Sequence, residues 1–433
     1  MLAGVCMVLA ANGLHAQSPS LLTPAEWTAL DSLYLHLHRN PELSFQEEKT
    51  AARLAAELKS MGYQLTTGIG GFGLTAIMQN GKGPVVLIRT DLDGLPVEEA
   101  TGAVYASKAT GLSDDGKPVP TMHACGHDVH MTVWTGTARW FSQNKKAWSG
   151  TLIFLGQPAE ERGSGARLML DDNLLGRIPK PDYAVALHCN ATLPAGTVGI
   201  CPGFALANVD MMDITVYGEG GHGAYPHTTK DPVVLAARII TDLQTIVSRE
   251  ISPLDPAVIT VGAIHGGTKG NVIPSEVKLE LTLRSYKDEV RAALIEKIKR
   301  TCEGAAMGFG LPKEKYPLVT LRNESIPATY NQPELTARIE KALISRLGQE
   351  KVFTVPPVMG GEDFSMYGRT PEKIPISLFW LGIVPPEKAA AADRGEIQLP
   401  SLHSPFMLPD YQPAIRTGVS AMTAAVLDLL KTP

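Results

Sequence analysis

The feature that most constrains the fold of this chain is a series of short apolar runs, rich in β-branched residues, that alternate with helical patterns. Such runs occupy residues 85–88, 151–155 and 183–187. A helical pattern over residues 129–141 separates the first two runs. Strands that alternate with helices in this way predict an α/β fold with a mostly parallel sheet.

Polar side chains stand just past the ends of these predicted strands. Two aspartates follow the first run, two glutamates the second and a histidine the third: Asp91, Asp93, Glu160, Glu161 and His188. In open α/β sheets, sites are built at the carboxyl edge of the strands. We therefore expect these five side chains to meet at one edge of the sheet.

The middle of the chain carries a different, self-contained pattern. Between residues 209 and 322 the predicted order is strand, helix, strand, strand, helix, strand, which is the ferredoxin-like unit. A complete small fold between two α/β stretches predicts an inserted domain. We place it at residues 205–317, with residues 18–204 and 318–433 forming the main domain.

Composition excludes several other classes of protein. The 433 residues are 44% hydrophobic and 19% charged, with a formal net charge of −5, which excludes a disordered or collagen-like chain. Lysine and arginine form no cluster, so we expect no nucleic-acid partner and no attraction to an anionic membrane. The expected partner is a small-molecule substrate.

The chain opens with an apolar stretch, residues 2–11, followed by a short segment that ends in Ala16. This pattern is typical of a signal peptide, here residues 1–17, although no Lys or Arg follows Met1; a frayed N-terminus is the alternative. No later stretch approaches the ~20 apolar residues of a membrane-spanning helix. We expect an exported protein, periplasmic or secreted, without membrane contact after processing.

The densest cluster of reactive side chains lies at residues 122–130. It contains three imidazoles, a thiol and a carboxylate: His123, Cys125, His127, Asp128 and His130. Thiolate and imidazole together suit a transition metal, zinc first. On ligand chemistry alone, a chance arrangement in a loop is the alternative.

Two adjacent carboxylates, Glu160 and Glu161, follow the second predicted strand. Like charges are costly there unless a cation neutralises them or one of them holds a proton. One glutamate could then bind a metal while its neighbour activates water. A solvated pair at the start of a helix is the alternative.

Seven motifs resemble, in order, those of the dinuclear metallo-amidohydrolases, the family of aminoacylase and carboxypeptidase G. The similarity is greatest to the branch of hippurate hydrolase and the auxin-amino-acid conjugate hydrolases, and it extends over residues 35–430. The motifs are RTDLDGLP (89–96), HACGHD (123–128), QPAEE (157–161), GHGA (221–224), NVIP (271–274), GEDF (361–364) and HSP (403–405). The resemblance implies an exopeptidase-like catalytic domain with an inserted lid that also forms a dimer.

The resemblance further implies a site for two divalent metal ions, zinc, manganese or cobalt. It places the metal ligands at Cys125, His127, Glu161, His188 and His403. Glu160 would be the general base, and the Cys125 thiolate would take a bridging place that Asp fills in other branches. Asp93 would orient a ligand; a turn residue before Gly94 is the alternative.

The resemblance also assigns active-site roles to residues of the inserted domain. His222 would reach the active site of the partner subunit in a homodimer and stabilise the oxyanion there. Asn271 and Arg284 would contact the substrate, with the Arg forked toward a carboxylate; a surface cation is the alternative for Arg284. Arg162 and Asn190 depart from the residues usual in the family, and we expect them to line the mouth of the pocket.

These features predict a metal-dependent amidohydrolase that cleaves the amide bond of N-acyl amino acids, such as N-acetyl or N-benzoyl conjugates. A dipeptidase or carboxypeptidase that uses the same centre is one alternative. A non-catalytic binding protein is another, although such proteins typically lose ligands and this chain keeps every one of them.

Overall fold

The computed structural model describes residues 21–323 and 325–431, so the predicted signal peptide, residues 1–17, lies outside the described residues. The strands are β1 (Gln64–Ile69), β2 (Gly73–Asn80), β3 (Val85–Asp91), β4 (Thr110–Leu112), β5 (Pro118–Pro120), β6 (Gly150–Gln157), β7 (Tyr183–Pro194), β8 (Val198–Ile200), β9 (Gly203–Leu206), β10 (Asn208–Tyr217), β11 (Gly221–His222), β12 (Ala257–His265), β13 (Val272–Ile273), β14 (Glu276–Ser285), β15 (Leu318–Leu321), β16 (Thr329–Asn331), β17 (Val352–Thr354) and β18 (Ile376–Val384). The α-helices are α1 (Pro24–Arg39), α2 (Glu48–Ser60), α3 (His127–Gln143), α4 (Gly165–Asp171), α5 (Leu174–Arg177), α6 (Pro232–Thr245), α7 (Asp288–Gly308), α8 (Pro333–Leu347), α9 (Ser365–Gly368), α10 (Pro386–Asp393) and α11 (Tyr411–Leu429).

Eight strands form the main sheet, in the order β1-β2-β6-β3-β7-β18-β8-β17. The four adjacent strands β6, β3, β7 and β18 run parallel. Their side chains are apolar on both faces: Val86 and Ile88 pack into one core, and Leu87 between them packs into the other. A strand buried on both faces appears in the sequence as a continuous apolar run, which is why these strands could be predicted.

Helices cover both faces of the main sheet. One core contains side chains of α1, α2, α3, α8 and α11, among them Leu30, Leu54 and Phe141. The other core contains side chains of α4 and α9, among them Met169 and Tyr367. The predicted α/β fold is confirmed.

A second, four-stranded sheet has the order β12-β14-β10-β15 and is antiparallel throughout. Strands and helices follow each other along the chain in the predicted β-α-β-β-α-β order. Residues of β10 alternate between buried and half-buried, as expected when one face of a sheet packs on helices. This sheet and the helices α6 and α7 enclose a hydrophobic core of their own.

The small sheet joins the main domain at the start of β10. The side chain of Asn208 donates to the Ser285 hydroxyl at 3.3 Å and accepts from the Ala328 N–H at 2.8 Å. Strand β15 pairs with β10, so the small sheet continues past residue 317, where we placed the end of the inserted domain. The exact boundaries stay a prediction.

None of the described helices is both long and apolar enough to cross a bilayer.

Candidate metal centre

The predicted ligands lie at the carboxyl edge of the parallel strands. Strands β3 and β6 end in register, with Asp91 opposite Gln157, so the turns that follow them start at the same level. The loop that enters α3 turns at Gly126, whose φ is 80° and where a Cβ would come within 2.8 Å of the Cys189 sulfur. Only glycine fits that turn. The His403 N–H donates to the Ala124 carbonyl at 2.8 Å, which ties the last ligand loop to this turn.

Two overlapping groups of ligands share Cys125. In one group, atoms of Cys125, His127 and His188 lie within 4.8 Å of one another; in the other, atoms of Cys125, Glu161 and His403 do so. The Cys125 sulfur is 3.6 Å from His188 Nε2, and His403 Nε2 is 3.5 Å from Glu161 Oε2. All five predicted ligands therefore meet in one cluster, and the shared member is the residue for which the resemblance implies a bridging role.

The Nδ1 hydrogen bonds of the two buried histidines turn their Nε2 atoms toward other predicted ligands, with Cys125 Sγ 3.6 Å from His188 Nε2 and Glu161 Oε1 3.8 Å from His127 Nε2. Nδ1 of His127 donates to the Asp93 backbone carbonyl at 2.8 Å, and Nδ1 of His188 donates to the Cys189 carbonyl at 2.8 Å. Because a carbonyl oxygen can only accept, Nδ1 carries a proton in both rings, and Nε2 presents a lone pair in the neutral form that binds a metal. Metal-binding histidines are commonly oriented in this way.

Two buried atoms of the cluster have no hydrogen-bond partner among the described residues. They are Nε2 of His127 and Oε1 of Glu161, and they face each other across 3.8 Å. In the deprotonated forms that bind a metal both are acceptors, and leaving a buried acceptor unpaired costs about 1–3 kcal/mol. A cation between them would satisfy both. The thiol, imidazoles and carboxylate at hand therefore fit a zinc-type divalent ion.

The electrostatic field in the cluster is strongly negative. Burial and the carboxylates of Glu161 and Glu160 raise the pKa of the Cys125 thiol well above its ordinary value. Burial raises the pKa of Glu161 to about 8, against the opposing effect of His127. Burial alone would lower the pKa of His127, but Asp91 is among the carboxylates that raise it to about 10. These groups hold protons that a bound divalent cation would displace.

Glu160 lies beside the ligands without belonging to either group that shares Cys125. It is 7% exposed, and its Oε2 is 3.9 Å from His127 Nε2. Burial, followed by the carboxylates of Glu362 and Glu161, raises its pKa well above the ordinary value. The raised pKa makes the Glu160 carboxylate a stronger base, as a group that accepts and passes on a proton requires.

Asp93 contacts two of the predicted ligands. Its carbonyl accepts from His127, and its Oδ2 accepts from the Glu161 N–H at 3.0 Å and from the Ser44 hydroxyl at 2.6 Å. The N–H of Leu95, two residues on, donates to the Met122 carbonyl at 2.9 Å, so the Asp93 side chain does not form an Asx turn there. The geometry is that of a residue that orients ligands.

Sequence reasoning missed a buried network behind the cluster. The Arg89 guanidinium lies 2.7 Å from Asp91, 2.8 Å from Glu362 and 3.1 Å from Asp363. His130 Nδ1 contacts the other oxygen of Asp91 at 2.8 Å. One signal could have found this network: Arg89 directly follows the apolar run 85–88 in the same predicted strand, and a buried guanidinium requires carboxylate partners.

The structure places His222 and Asn271 together, at the end of the small sheet opposite its junction with the main domain. Strand β11 pairs with β13, and the Gly223 N–H donates to the Asn271 carbonyl at 2.9 Å. His222 follows the far end of β10, at Tyr217, and Asn271 lies in the connection from β12 to β14 at the same end, whereas the main domain joins at Asn208. At about 3.4 Å per residue, β10 separates its two ends by about 30 Å. No contact among the described residues joins His222 or Asn271 to the five ligands of the same chain.

Arg284 lies at the junction end of the small sheet, paired with Val209 of β10. Burial lowers its pKa, and the nearby Asp210 opposes that effect. No described carboxylate forms an ion pair with it. The Oδ1 of Asn190 accepts from the N–H groups of Thr192 and Leu193, and the expected place of this residue at the pocket mouth stays a prediction.

Thiol, imidazole and carboxylate groups around unpaired acceptors, with a buried glutamate beside them at the edge of a parallel sheet, define a metal-dependent hydrolase. The family described as Peptidase family M20/M25/M40 matches residues 87–403. The chain belongs to this family.

Individual relatives agree with this assignment. N-acetylcysteine deacetylase of Bacillus subtilis (strain 168) is 37% identical over 361 residues, which cover 82% of this chain and 88% of the relative. Thermostable carboxypeptidase 2 of Saccharolobus solfataricus is 34% identical over 350 residues, which cover 80% and 84%. Among solved structures, the YXEP protein of Bacillus subtilis, described as a dinuclear metal binding peptidase, is 29% identical, with a TM-score of 0.76 and 95% and 100% of the two chains covered.

The predicted family, the α/β fold and the reaction class, metal-dependent hydrolysis of an amide, are confirmed by these findings. The roles of single residues stay predictions.

Proposed function

We propose that this chain hydrolyses the amide bond of N-acyl amino acids with two divalent metal ions held by its five clustered ligands. The observation that carries the proposal is the meeting of these ligands around the unpartnered atoms of His127 and Glu161. A relative that is an N-acetylcysteine deacetylase supports the substrate class. Zinc suits a set of thiolate and imidazole first, with manganese and cobalt as alternatives.

Glu160 is the side chain placed to move protons. When bound, divalent cations supply Lewis acidity, which polarises a carbonyl and acidifies water. Glu160 as the carboxylate takes the proton of the attacking water, and as the carboxylic acid it passes that proton to the leaving nitrogen. The burial and the neighbouring carboxylates that raise its pKa make it a stronger base for the first transfer. Asp93 keeps His127 and Glu161 in place meanwhile.

We propose that the active enzyme is a homodimer in which each subunit completes the site of the other. Nδ1 of His222 accepts from the Ala224 N–H at 3.1 Å, so its proton lies on the exposed Nε2. That N–H is free to donate to the oxyanion that forms on the scissile carbonyl. The length of β10, about 30 Å from the domain junction, supports delivery to a partner subunit.

We propose that Arg284 and the partner subunit's Asn271, which lies beside His222, bind the amino-acid part of the substrate. Arg284 is half-buried without an ion-pair partner among the described residues, close to the junction of the two units. A half-buried guanidinium without an ion-pair partner is better suited to bind a substrate carboxylate than to remain as a surface cation in water.

Release of free amine from N-acetyl and N-benzoyl amino acids tests the proposed function, with zinc, manganese or cobalt supplied. We expect the parent protein to cleave at least one acyl class. The Glu160→Gln variant should lose about 1,000-fold or more in kcat while it keeps its metal content. A parent protein that is inert on every amide with all three metals would overturn the proposal.

Subunit complementation tests the dimer. Mixed subunits of Glu160→Gln and His222→Ala should form hybrid dimers in which one of two sites is intact. If partners assort at random, about a quarter of the parental activity should return. An activity no higher than that of the two separate variants would exclude a shared site.

A carboxypeptidase or dipeptidase activity is the second candidate, favoured by the relative named thermostable carboxypeptidase 2. The same panel extended to dipeptides and N-blocked peptides separates the two. Cleavage of peptides at least as fast as of N-acyl amino acids would favour the second candidate.

We propose, in addition, that the protein is exported, from the apolar pattern of residues 1–17. Cell fractionation with mass spectrometry of the intact chain tests this proposal. A mature mass that lacks the leader, in the periplasm or the medium, is expected; a full-length chain in the cytoplasm would contradict it.

A further inference from the structure

A cavity of about 320 Å³ opens on the main domain beside the predicted ligand Glu161. Leu43, Leu95 and Leu112 contribute apolar surface to it, and Asp114 and Arg162 stand at its polar side. Its volume lies within the range of small-molecule sites. An acetyl group would fill only a small part of it.

The hairpin β4–β5 forms one wall of this cavity and is held there by side chains of the main domain. The amide of Gln46 donates to the Leu112 carbonyl at 2.6 Å and accepts from the Leu112 N–H at 3.0 Å. On the same hairpin, both carboxylate oxygens of Asp114 accept from Arg162 Nη1, at 2.9 and 3.0 Å.

Leu112 is 55% exposed although it is large and apolar. The two hydrogen bonds to Gln46 fix its backbone, so this exposed side chain has a defined position at the cavity. An apolar side chain held open to water beside a catalytic cluster is suited to contact a ligand.

We infer that this cavity is the subsite for the acyl group, and that Leu112 and the Arg162–Asp114 ion pair set the size of the group it accepts, an apolar acyl group larger than acetyl. The inference rests on the proposed function. No residue of the small sheet or its helices lines the cavity. Since Arg284 of that unit and the partner subunit's Asn271 are proposed to bind the amino-acid part, the acyl part remains for the cavity.

Acyl selectivity tests this assignment. The quantity measured is the ratio of kcat/KM for an N-benzoyl amino acid to that for the N-acetyl derivative of the same amino acid, with metal-loaded enzyme. A Leu112→Trp variant fills the cavity, so the ratio should fall about tenfold or more. The matched control Leu254→Trp changes another exposed leucine, in the small unit, and should leave the ratio unchanged.

A substitution of Asp114, the hairpin residue of the Arg162–Asp114 ion pair, tests the role of that pair. An Asp114→Asn variant frees the wall from Arg162, so we expect KM for the benzoyl substrate to rise about threefold or more with kcat nearly unchanged. Its control is Glu396→Gln, which weakens an exposed ion pair with Arg394 elsewhere on the surface and should leave KM unchanged.

An unchanged acyl ratio in Leu112→Trp would overturn the assignment while the proposed function stands. If the parent cleaves no amide, the proposed function fails. Binding of benzoate to the metal-loaded protein then still tests whether the cavity binds an acyl group. Calorimetry should then show binding about fivefold weaker in Leu112→Trp. Equal affinity in both proteins, or no binding to the parent, would overturn the subsite.

Discussion

The carboxylate of Glu47, just before α2, accepts a 2.7 Å hydrogen bond from the backbone N–H of Ala159, 112 residues further along the chain. Glu47 is fully buried. Ala159 has a φ of 50°, in the left-handed region that non-glycine residues rarely adopt. The next two residues are the predicted base Glu160 and the predicted ligand Glu161, so one buried side chain holds the turn that carries both.

Replacement of Glu47 should lower catalysis without weakening substrate binding. The Glu47→Ala variant leaves the Ala159 N–H unpaired, so we expect the free energy of unfolding to fall by about 1–3 kcal/mol. We also expect kcat to fall about tenfold, with KM unchanged. Chemical denaturation and steady-state kinetics measure the two effects.

The conservative variant Glu47→Gln separates positioning from mere loss of stability. Burial and Asp93 raise the pKa of Glu47 to about 8, so its carboxyl favours the neutral form near pH 7. A Gln side chain keeps the acceptor oxygen and should restore most of kcat. If Gln proves as damaging as Ala, the hydrogen bond to Ala159 is not what matters.

Substitution of Cys125 should change metal content before it changes the fold. A Cys125→Ala variant removes the ligand that both groups share, so we expect bound metal and activity to fall sharply. Cys125→Asp supplies a carboxylate in its place and should retain the metal. Elemental analysis after dialysis gives the comparison, and equal metal in the parent and the Ala variant would argue against a thiolate ligand.

The pH dependence of the free energy of unfolding should show that His38 is protonated in the folded state. Its Nδ1 lies 2.7 Å from Asp128 and its Nε2 lies 3.3 Å from Glu99. Burial alone would lower the pKa of His38, but these carboxylates raise it to about 9. Since the folded state holds this proton more tightly than the unfolded state, the stabilisation is complete below about pH 6.5 and is lost as the pH rises through about 9.

The shift corresponds to about 3 kcal/mol. Between about pH 6 and pH 10 the parent should therefore lose about that much more free energy of unfolding than a His38→Gln variant. Urea denaturation across this range, with both proteins loaded with the same metal, provides the test. Parallel stability curves for the two proteins would show that His38 does not stay charged in the folded state.

Loss of the buried cation Arg89 should be severely destabilising. Its three carboxylate partners are all buried, and removal of one member of such a set costs about 3–5 kcal/mol. We expect Arg89→Met to lower the free energy of unfolding by that amount. The control Arg394→Met breaks only an exposed ion pair and should change stability by less than about 1 kcal/mol; a similar small change in Arg89→Met would contradict the buried network.

The parallel strands and the ligand cluster could be predicted because their signals are local in the sequence. Strand β3 is a continuous apolar run, and Cys125 and His127 stand two positions apart in a segment dense with metal-binding side chains. The parallel strands β6 and β7 carry Glu161 and His188 to the same edge of the main sheet, where Cys125 and His127 lie. Strand β1, in contrast, is mostly exposed, so neither a continuous apolar run nor a regular alternation marks it.

The role of Glu47 and the identity of the partners of Arg89 could not be predicted because these contacts are purely tertiary, although a cation just after an apolar run indicates that Arg89 needs carboxylate partners. Glu47 precedes an ordinary amphipathic helix, and its partner Ala159 is a backbone group with no side-chain signal. Arg89 meets Glu362 across 273 residues. For His222 the sequence supplied a role by resemblance only, and the geometry that supports a partner subunit comes from the length of β10.

Titration of the metal-free protein with zinc tests the central claim most directly. Bound metal is measured by calorimetry and elemental analysis, and hydrolysis of an N-acyl amino acid is followed at each addition. We predict two equivalents of zinc per chain, with activity that rises as they bind and is absent before. A chain that binds no zinc, or that hydrolyses the amide equally well without it, would contradict a dinuclear amidohydrolase centre at Cys125, His127, Glu161, His188 and His403.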